Sequence, residues 1–403
     1  MFRTICLVCN SHHISRIIDL GMHPFADTFI PKSRLSESEP VYPLSVDLCS
    51  RCGQIQTSCI TDPEERYSLY DYSYTSSSSQ FAKHHWSEYA IEVSKKVNLP
   101  HNSFIIEIGS NDGFLAEQFK NKGHRVLGVD PSRHMAELAK KRNVKTIVGL
   151  FNEKTAAEII KKYGKAQLIV ANNVFNHSDA PQDFMKAIEM LLAEGGVFVF
   201  ESPYWLSTIE TKKFDQIYHE HVSYFTVKSS KKVFQSAGLE VSNAKLINYH
   251  GGSIRVFAKR KEDVTTESVL AKEMIEKEES LGLFKTETYV IFMKGILSQR
   301  NEFLKKVYEI KSKGGNIIAV GAPAKGNTFL NFYSLDHTII DYVTDSSPYK
   351  CGKWTPLSRI PIQEDSVFSK YKDVYALMLS WNLSHDLKES LHKINGNIQF
   401  ISI

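Results

Sequence analysis

The sequence has no uninterrupted apolar run approaching the ~18 residues that a membrane-spanning helix needs, which argues against such a helix. Nor does it hold a block of Lys and Arg. Its 403 residues carry a net charge of +4, too little for a strong electrostatic hold on nucleic acid. The opening residues M-F-R-T-I-C-L-V-C lack the apolar core and cleavage site of a secretory signal. The expectation is a cytoplasmic protein with neither a membrane nor a nucleic-acid partner; the oligomeric state is left open, leaning to a monomer. Cysteine is scarce, with six in all. The three-glycine G-x-G-x-x-G turn of dinucleotide folds is absent as well.

What is there is ordered. A chain of this length exceeds one core, so two or three domains are expected. Four of the six cysteines form two C-x2-C pairs, Cys6/Cys9 and Cys49/Cys52, with 39 residues between the pairs. Each pair can present two thiolates to one ion, and two pairs complete a tetrahedral zinc site. Without an export signal, metal is favoured over disulfides. All four positions are cysteine, so no coordination position is open and the zinc is structural. His12 and His13 are read as surface residues. Residues 1–66 are the zinc module.

From Phe104 the chain reads F-I-I-E-I-G-S-N-D-G, then an amphipathic helix, then R-V-L-G-V-D. That is a β-α-β unit with a glycine turn, where backbone N–H groups and the helix dipole can hold a ligand. Asp130 follows Gly109 by 21 residues, a spacing suited to a carboxylate that accepts both hydroxyls of a ribose. The turn reads E-x-G-x-x-x-G, from Glu107 through Gly109 to Gly113, and resembles motif I of the class I S-adenosylmethionine methyltransferases. That resemblance implies cofactor contacts from Glu107, Gly109, Asn111, Gly113, Asp130 and Pro131. The strand A-Q-L-I-V-A-N-N then ends at Asn172, and G-G-V-F-V-F-E-S-P ends near Glu201. Strand ends carrying Asn172, His177 and Glu201 should converge on one crevice.

Two segments invite chemistry. Tyr67–Ser79 packs four tyrosines into eight residues, either a hydroxyl-rich lid or a source of phenols for a site. Tyr218, His219, Glu220 and His221 are consecutive ionisable residues between apolar flanks. Extended, they would put His219 and His221 on one face; in a turn, Tyr218 would meet His221. An incidental polar turn and a metal pair at His219 and His221 are the competing readings. Catalysis is preferred, because histidine titrates near neutrality and a carboxylate can fix its tautomer.

H-G-G-S-I-R, from His250 to Arg255, is a donor-rich turn suited to an anion. Residues 263–313 are charged and helical in period. A second strand–glycine turn–helix unit follows at G-A-P-A-K-G-N-T, from Gly321, and makes the last third another α/β sheet.

Taken in order, the zinc knuckles, motif I, N-V-F-N-H, Y-H-E-H, H-G-G-S-I-R and G-A-P-A-K-G-N-T resemble the sugar C-methyltransferases. These methylate carbon on nucleotide-linked keto-deoxysugars, and the resemblance spans essentially the whole chain. It implies an α/β fold in three parts: the zinc module, a class I methyltransferase domain over 67–262, and a Rossmann-like C-terminal domain over 263–403 that holds a nucleotide sugar. S-adenosylmethionine and structural zinc are the implied cofactors, and a nucleotide-linked (dTDP) 4-keto-deoxysugar the implied substrate. Tyr218, Glu220 and His221 map onto the family's active-site cluster, with His177 and a tyrosine of the Y-x-Y run, Tyr72 or Tyr74. His221 is the expected base, oriented by Glu220. Gly321, Lys325, Asn327, Lys350 and Arg255 are the expected substrate contacts. The rival readings are methylation of a sugar oxygen or nitrogen, and a zinc-ribbon protein that binds RNA or protein with a non-catalytic core.

Overall fold

The structure, a computed structural model, describes residues 1–68, 75–77 and 79–402. Strands β1 (Ile14–His23), β2 (Tyr42–Cys49) and β3 (Ile55–Thr57) come from the zinc module. β4 (Phe104–Ile108), β5 (Arg125–Asp130), β6 (Thr146–Val148), β7 (Ala166–Asn172), β8 (Leu192–Pro203), β9 (Ser223–Tyr224), β10 (Leu239–Ile247) and β11 (Ser253–Arg260) come from the middle of the chain. β12 (Ile317–Val320), β13 (Tyr342–Thr344), β14 (Ile362–Gln363), β15 (Val374–Met378) and β16 (Ile398–Ile401) come from the last third.

The central sheet runs β10-β11-β8-β7-β4-β5-β6, and only β11 opposes its neighbours. Both faces are covered, so β4 and β7 read as nearly continuous apolar runs rather than alternating ones. Strand order reverses between β4 and β7. Beyond the carboxyl ends of those two strands lies the crevice where open α/β sheets bind ligands. This is the order of a class I methyltransferase. The C-terminal sheet is wholly parallel, β14-β13-β12-β15-β16, with its own reversal between β12 and β15.

The zinc module's sheet is antiparallel, in the order β1-β2-β3-β9. Its last strand is borrowed. β9 lies more than 160 residues beyond β3 and pairs Tyr224 with Ile55 and Ser223 with Gln56. Gln54 adds a side-chain bond to the Ser223 hydroxyl at 3.0 Å. The charged stretch after β11 forms two helices, Val269–Ser280 and Thr286–Ser312, which pack back on the middle of the chain: Trp205 Nε1 donates to the Tyr289 hydroxyl at 2.9 Å. No helix among the described residues is long and apolar enough to cross a membrane.

Candidate active site

The four cysteines meet at one point. Cys6 and Cys52 bring their sulfurs to 3.5 Å, Cys9 and Cys49 to 3.6 Å, and all four Sγ atoms lie within 4.8 Å of one another. Tetrahedral thiolates at the Zn–S distance of 2.3 Å would stand about 3.8 Å apart, so the donor set fits zinc. Each knuckle closes on the N–H of the residue after its second cysteine: Asn10 donates to Cys6 O at 3.0 Å, Gly53 to Cys49 O at 2.9 Å. No histidine among the described residues joins this cluster.

At the end of β4 the chain turns through Gly109 at a φ of +66°, with a Cβ there only 2.1 Å from Val174. A side chain would be strained in that conformation and would also collide. Asp130, at the end of β5, accepts the Asn111 N–H on Oδ2 at 2.8 Å and the Ser132 N–H on Oδ1 at 2.9 Å. Burial pushes its carboxyl up against those two donors. Its remaining lone pairs suit ribose hydroxyls. Both amide atoms of Asn172, at the end of β7, are buried without a well-aligned partner, a polar group placed to meet a ligand. These residues fit S-adenosylmethionine. Glu107 has a second duty: its Oε2 accepts the Ala116 N–H at 2.9 Å and so caps the helix Phe114–Asn121. Ser76 closes on the same turn, with its N–H on Asn111 Oδ1 at 2.9 Å and its hydroxyl on Asp112 Oδ1 at 2.6 Å. Tyr72 and Tyr74 lie outside the described residues.

The Y-H-E-H segment is a turn, not a strand. The His221 N–H donates to Tyr218 O at 2.9 Å, which brings the two rings to a centroid distance of 3.9 Å. His177 meets His221 edge-on at 5.1 Å. Two neighbours set that approach: Val222 N–H donates to Asn176 O at 2.9 Å, and Thr57 N–H donates to Val222 O at 2.9 Å. The Y-H-E-H turn is thus held by the zinc module on one side and by the loop after β7 on the other. His219 faces elsewhere, its Nε2 3.3 Å from Pro43 O and its ring edge-on to Phe25 and Tyr42, so it forms no metal pair with His221.

Two expectations need correcting here. His221 Nδ1 lies 2.9 Å from Gln216 O, so Nδ1–H donates to the Gln216 carbonyl rather than to Glu220, which leaves Nε2 with the lone pair. Nor does His221 titrate near neutrality. Burial pushes it down to about 4, and burial holds His177 well below its ordinary value, with the His221 charge adding to that. The group near neutrality is Glu220, pushed up to about 7 by burial, with the Asp27 carboxylate adding to it. Its Oε2 is buried and without a partner.

The C-terminal crevice repeats the first in detail. Gly321 has a φ of +85°, and a Cβ there would sit 1.9 Å from Ser380 Oγ. Asp345, just beyond β13, accepts the Ala322 N–H on Oδ2 and the Ser347 N–H on Oδ1, both at 2.8 Å. Lys350 Nζ donates to Ala322 O at 2.8 Å. Lys325 reaches Asn382 Oδ1 at 2.5 Å and lies over the Trp381 ring at 3.7 Å. Asn327 is turned inward, donating to Ala26 O at 2.6 Å. Arg255 is a third correction. Expected to receive an anion, it is buried, donates twice to Glu201 (2.9 and 2.7 Å) and once to Glu92 (3.2 Å), and stacks on Tyr89. Its charge is spent inside the central domain.

Three family descriptions divide the chain between them: a zinc binding domain over residues 6–67, a methyltransferase domain over 81–244 and a C-methyltransferase C-terminal domain over 248–402. The C-methyltransferase NovU of Streptomyces niveus is 30% identical over 382 residues, which span 95% of this chain and 90% of that one. The chain belongs to the C-methyltransferases. Membership of an S-adenosylmethionine-dependent family named for methylation of carbon sets aside oxygen or nitrogen methylation and a non-catalytic core. Among solved structures, a magnesium protoporphyrin IX methyltransferase of Synechocystis PCC 6803 is 14% identical, with a TM-score of 0.36 over 44% of this chain and 83% of its own. An S-adenosylmethionine-dependent methyltransferase of Clostridium acetobutylicum is 17% identical, with a TM-score of 0.36 over 45% of this chain and 93% of its own.

Two further polar clusters of this C-methyltransferase lie near these residues without a motif to mark them. Lys213, like Lys325, lies over the Trp381 ring, at 4.3 Å, and Trp381 Nε1 donates to Asp215 Oδ2 at 2.6 Å. The only signal in the sequence was the K-K-F-D-Q run just before Y-H-E-H. His85 bonds Glu201 Oε1 at 2.6 Å and stacks on Tyr249 at 3.8 Å; nothing in its spacing announced that. His177, His250 and Lys325 are half-buried, and burial lowers the pKa of all three.

Proposed function

We propose that the enzyme methylates carbon on a nucleotide-linked 4-keto-deoxysugar, with dTDP the expected nucleotide, and that the reaction passes through an enolate. The observation that carries this reading is the junction between the crevices. His177, Tyr218, Glu220 and His221 gather beside the carboxyl end of β7, while His250 stands within electrostatic reach of both His221 and Lys325. A substrate long enough to lie between them would put its sugar by the histidines and its nucleotide by the second glycine turn.

A C–H bond is no nucleophile, but a ketone beside it makes its proton removable. His221 takes that proton on Nε2. The low pKa set by burial keeps the imidazole neutral at working pH, so it is always in the accepting form. The negative charge that develops beside it raises its basicity as the proton moves. Tyr218 and His177 donate to the enolate oxygen, a role worth ~3 kcal/mol per donor. S-adenosylmethionine, when bound, supplies the electrophilic methyl group; Asp130, Asn172 and the Gly109 turn hold it in line, and positioning is the main source of rate. In the second crevice, Lys325, softened to about 8 by burial, and Lys350 face the diphosphate.

Incubation with a panel of dTDP-linked sugars tests the reading. Transfer of methyl to carbon, seen by NMR, is expected only where a ketone adjoins the accepting carbon. Equal turnover of sugars lacking the ketone would overturn it.

A further inference from the structure

The zinc module's loop from His23 to Ile30 reaches much further into the molecule than a metal knuckle requires. Phe25, Ala26, Thr28, Phe29 and Ile30 are all buried. Ile30 exchanges both backbone hydrogen bonds with Trp354 of the C-terminal domain, at 2.8 and 2.9 Å. Ala26 O accepts Asn327 Nδ2 at 2.6 Å, and the next residue, Asp27, donates its N–H to Glu220 Oε1 at 3.3 Å. One dipeptide is therefore pinned to the helix of the second crevice on one side and to the active-site turn on the other.

Asp27 itself has a carboxylate without a hydrogen-bond donor among the described residues. It is half-buried beside the Y-H-E-H turn, where its own N–H meets Glu220. Lys350 and Lys353 attract it, while Asp345 and Glu220 repel it. A carboxylate left in such a place without a donor is costly. Such a carboxylate needs a donor, and a hydroxyl or amino group supplies one where a phosphate, itself an acceptor, does not. With the diphosphate at the glycine turn, the part of the substrate that reaches Glu220 is the sugar ring.

We infer that Asp27 is a specificity-determining residue, whose carboxylate accepts a hydrogen bond from a hydroxyl or amino substituent of the sugar. The zinc module thereby forms one wall of the substrate site. This rests on the nucleotide-sugar reading above.

The test uses the full-length, zinc-loaded protein and two dTDP-linked 4-keto-deoxysugars that differ only in one ring hydroxyl. The wild type should prefer the hydroxylated sugar. Asp27→Ala should lower its kcat/KM about tenfold or more while changing the deoxygenated sugar little, because a site built around a hydrogen bond discriminates through it. Asp27→Asn, which keeps an acceptor oxygen, should recover part of the loss. Binding of dTDP alone and of S-adenosylmethionine, measured by calorimetry, should be unchanged in both variants. Equal loss on both sugars, or an undiminished preference in Asp27→Ala, would overturn the inference and leave the nucleotide-sugar reading standing. Failure of the wild type to bind or methylate either sugar would overturn that reading, and this inference with it.

Discussion

His221 and Glu220 are neighbours whose titrations are pushed in opposite directions by the same burial. Glu220, raised from 4.5 to about 7, binds protons in the folded state that the unfolded chain releases. Its contribution to stability is therefore full below pH 4.5 and lost as pH rises to about 7. His221, lowered from 6.5 to about 4, does the reverse and costs stability as pH falls through that window. Each shift corresponds to something on the order of 3 kcal/mol, and between pH 4.5 and 6.5 the two slopes largely cancel. Glu220→Gln should break the balance, gaining on the wild type as pH rises from about 4.5 to about 7. Urea midpoints at the two ends of that window read it directly, and an unchanged difference would mean Glu220 is not perturbed. On the chemical side, His221→Asn should abolish both methylation and exchange of the substrate's α-proton with deuterated solvent, with both ligands still bound. Tyr218→Phe should slow methylation less. Wild-type methylation by His221→Asn would move the base to His177.

At the level of the element, the helix Val227–Gln235 shows how a capping site is shared between distant segments. Thr226 and Ser229 form a capping box, and Glu278, from the helix Val269–Ser280, adds its buried carboxylate to the Val227 and Lys228 N–H groups at 2.6 and 3.1 Å. The Tyr204 hydroxyl donates to the same carboxylate at 2.9 Å. Glu278→Ala should cost on the order of 3 kcal/mol, since it strands three buried donors. Glu279→Ala, which removes only an exposed pair with Lys228, should cost about 0.5 kcal/mol or less. Denaturant unfolding of the two variants separates these outcomes. Elements of this kind mark the boundary of what the sequence disclosed. The C-x2-C pairs, the turn at Gly109 and the turn at Gly321 were legible because each is a local pattern with one physical explanation. Strand β9 was not, because two residues carry no periodicity. The duty of Arg255 was not, because the partners that neutralise it, Glu201 and Glu92, lie 54 and 163 residues away. The Gln216 carbonyl that fixes the His221 tautomer left no trace, since every residue has a carbonyl.

In the molecule as a whole, zinc and chemistry are mechanically joined. The sheet built on the cysteine knuckles ends in β9, which begins two residues after His221, and the Thr57 hydroxyl donates to the His221 carbonyl. Removing zinc with a chelator, or replacing Cys49 with Ser, should therefore abolish methylation and lower the unfolding midpoint together, while metal analysis of the intact protein should find about one zinc per chain. A metal-free preparation of full stability and activity would refute the coupling. The borrowed strand also has a consequence in time. A chain leaves the ribosome from its N-terminus, and early domains usually fold first. Here the zinc module, made before the domains it packs on, cannot complete its sheet until Tyr224 has emerged, and its Ile30–Trp354 bridge waits longer still. A part made before its partners is among the last to be finished.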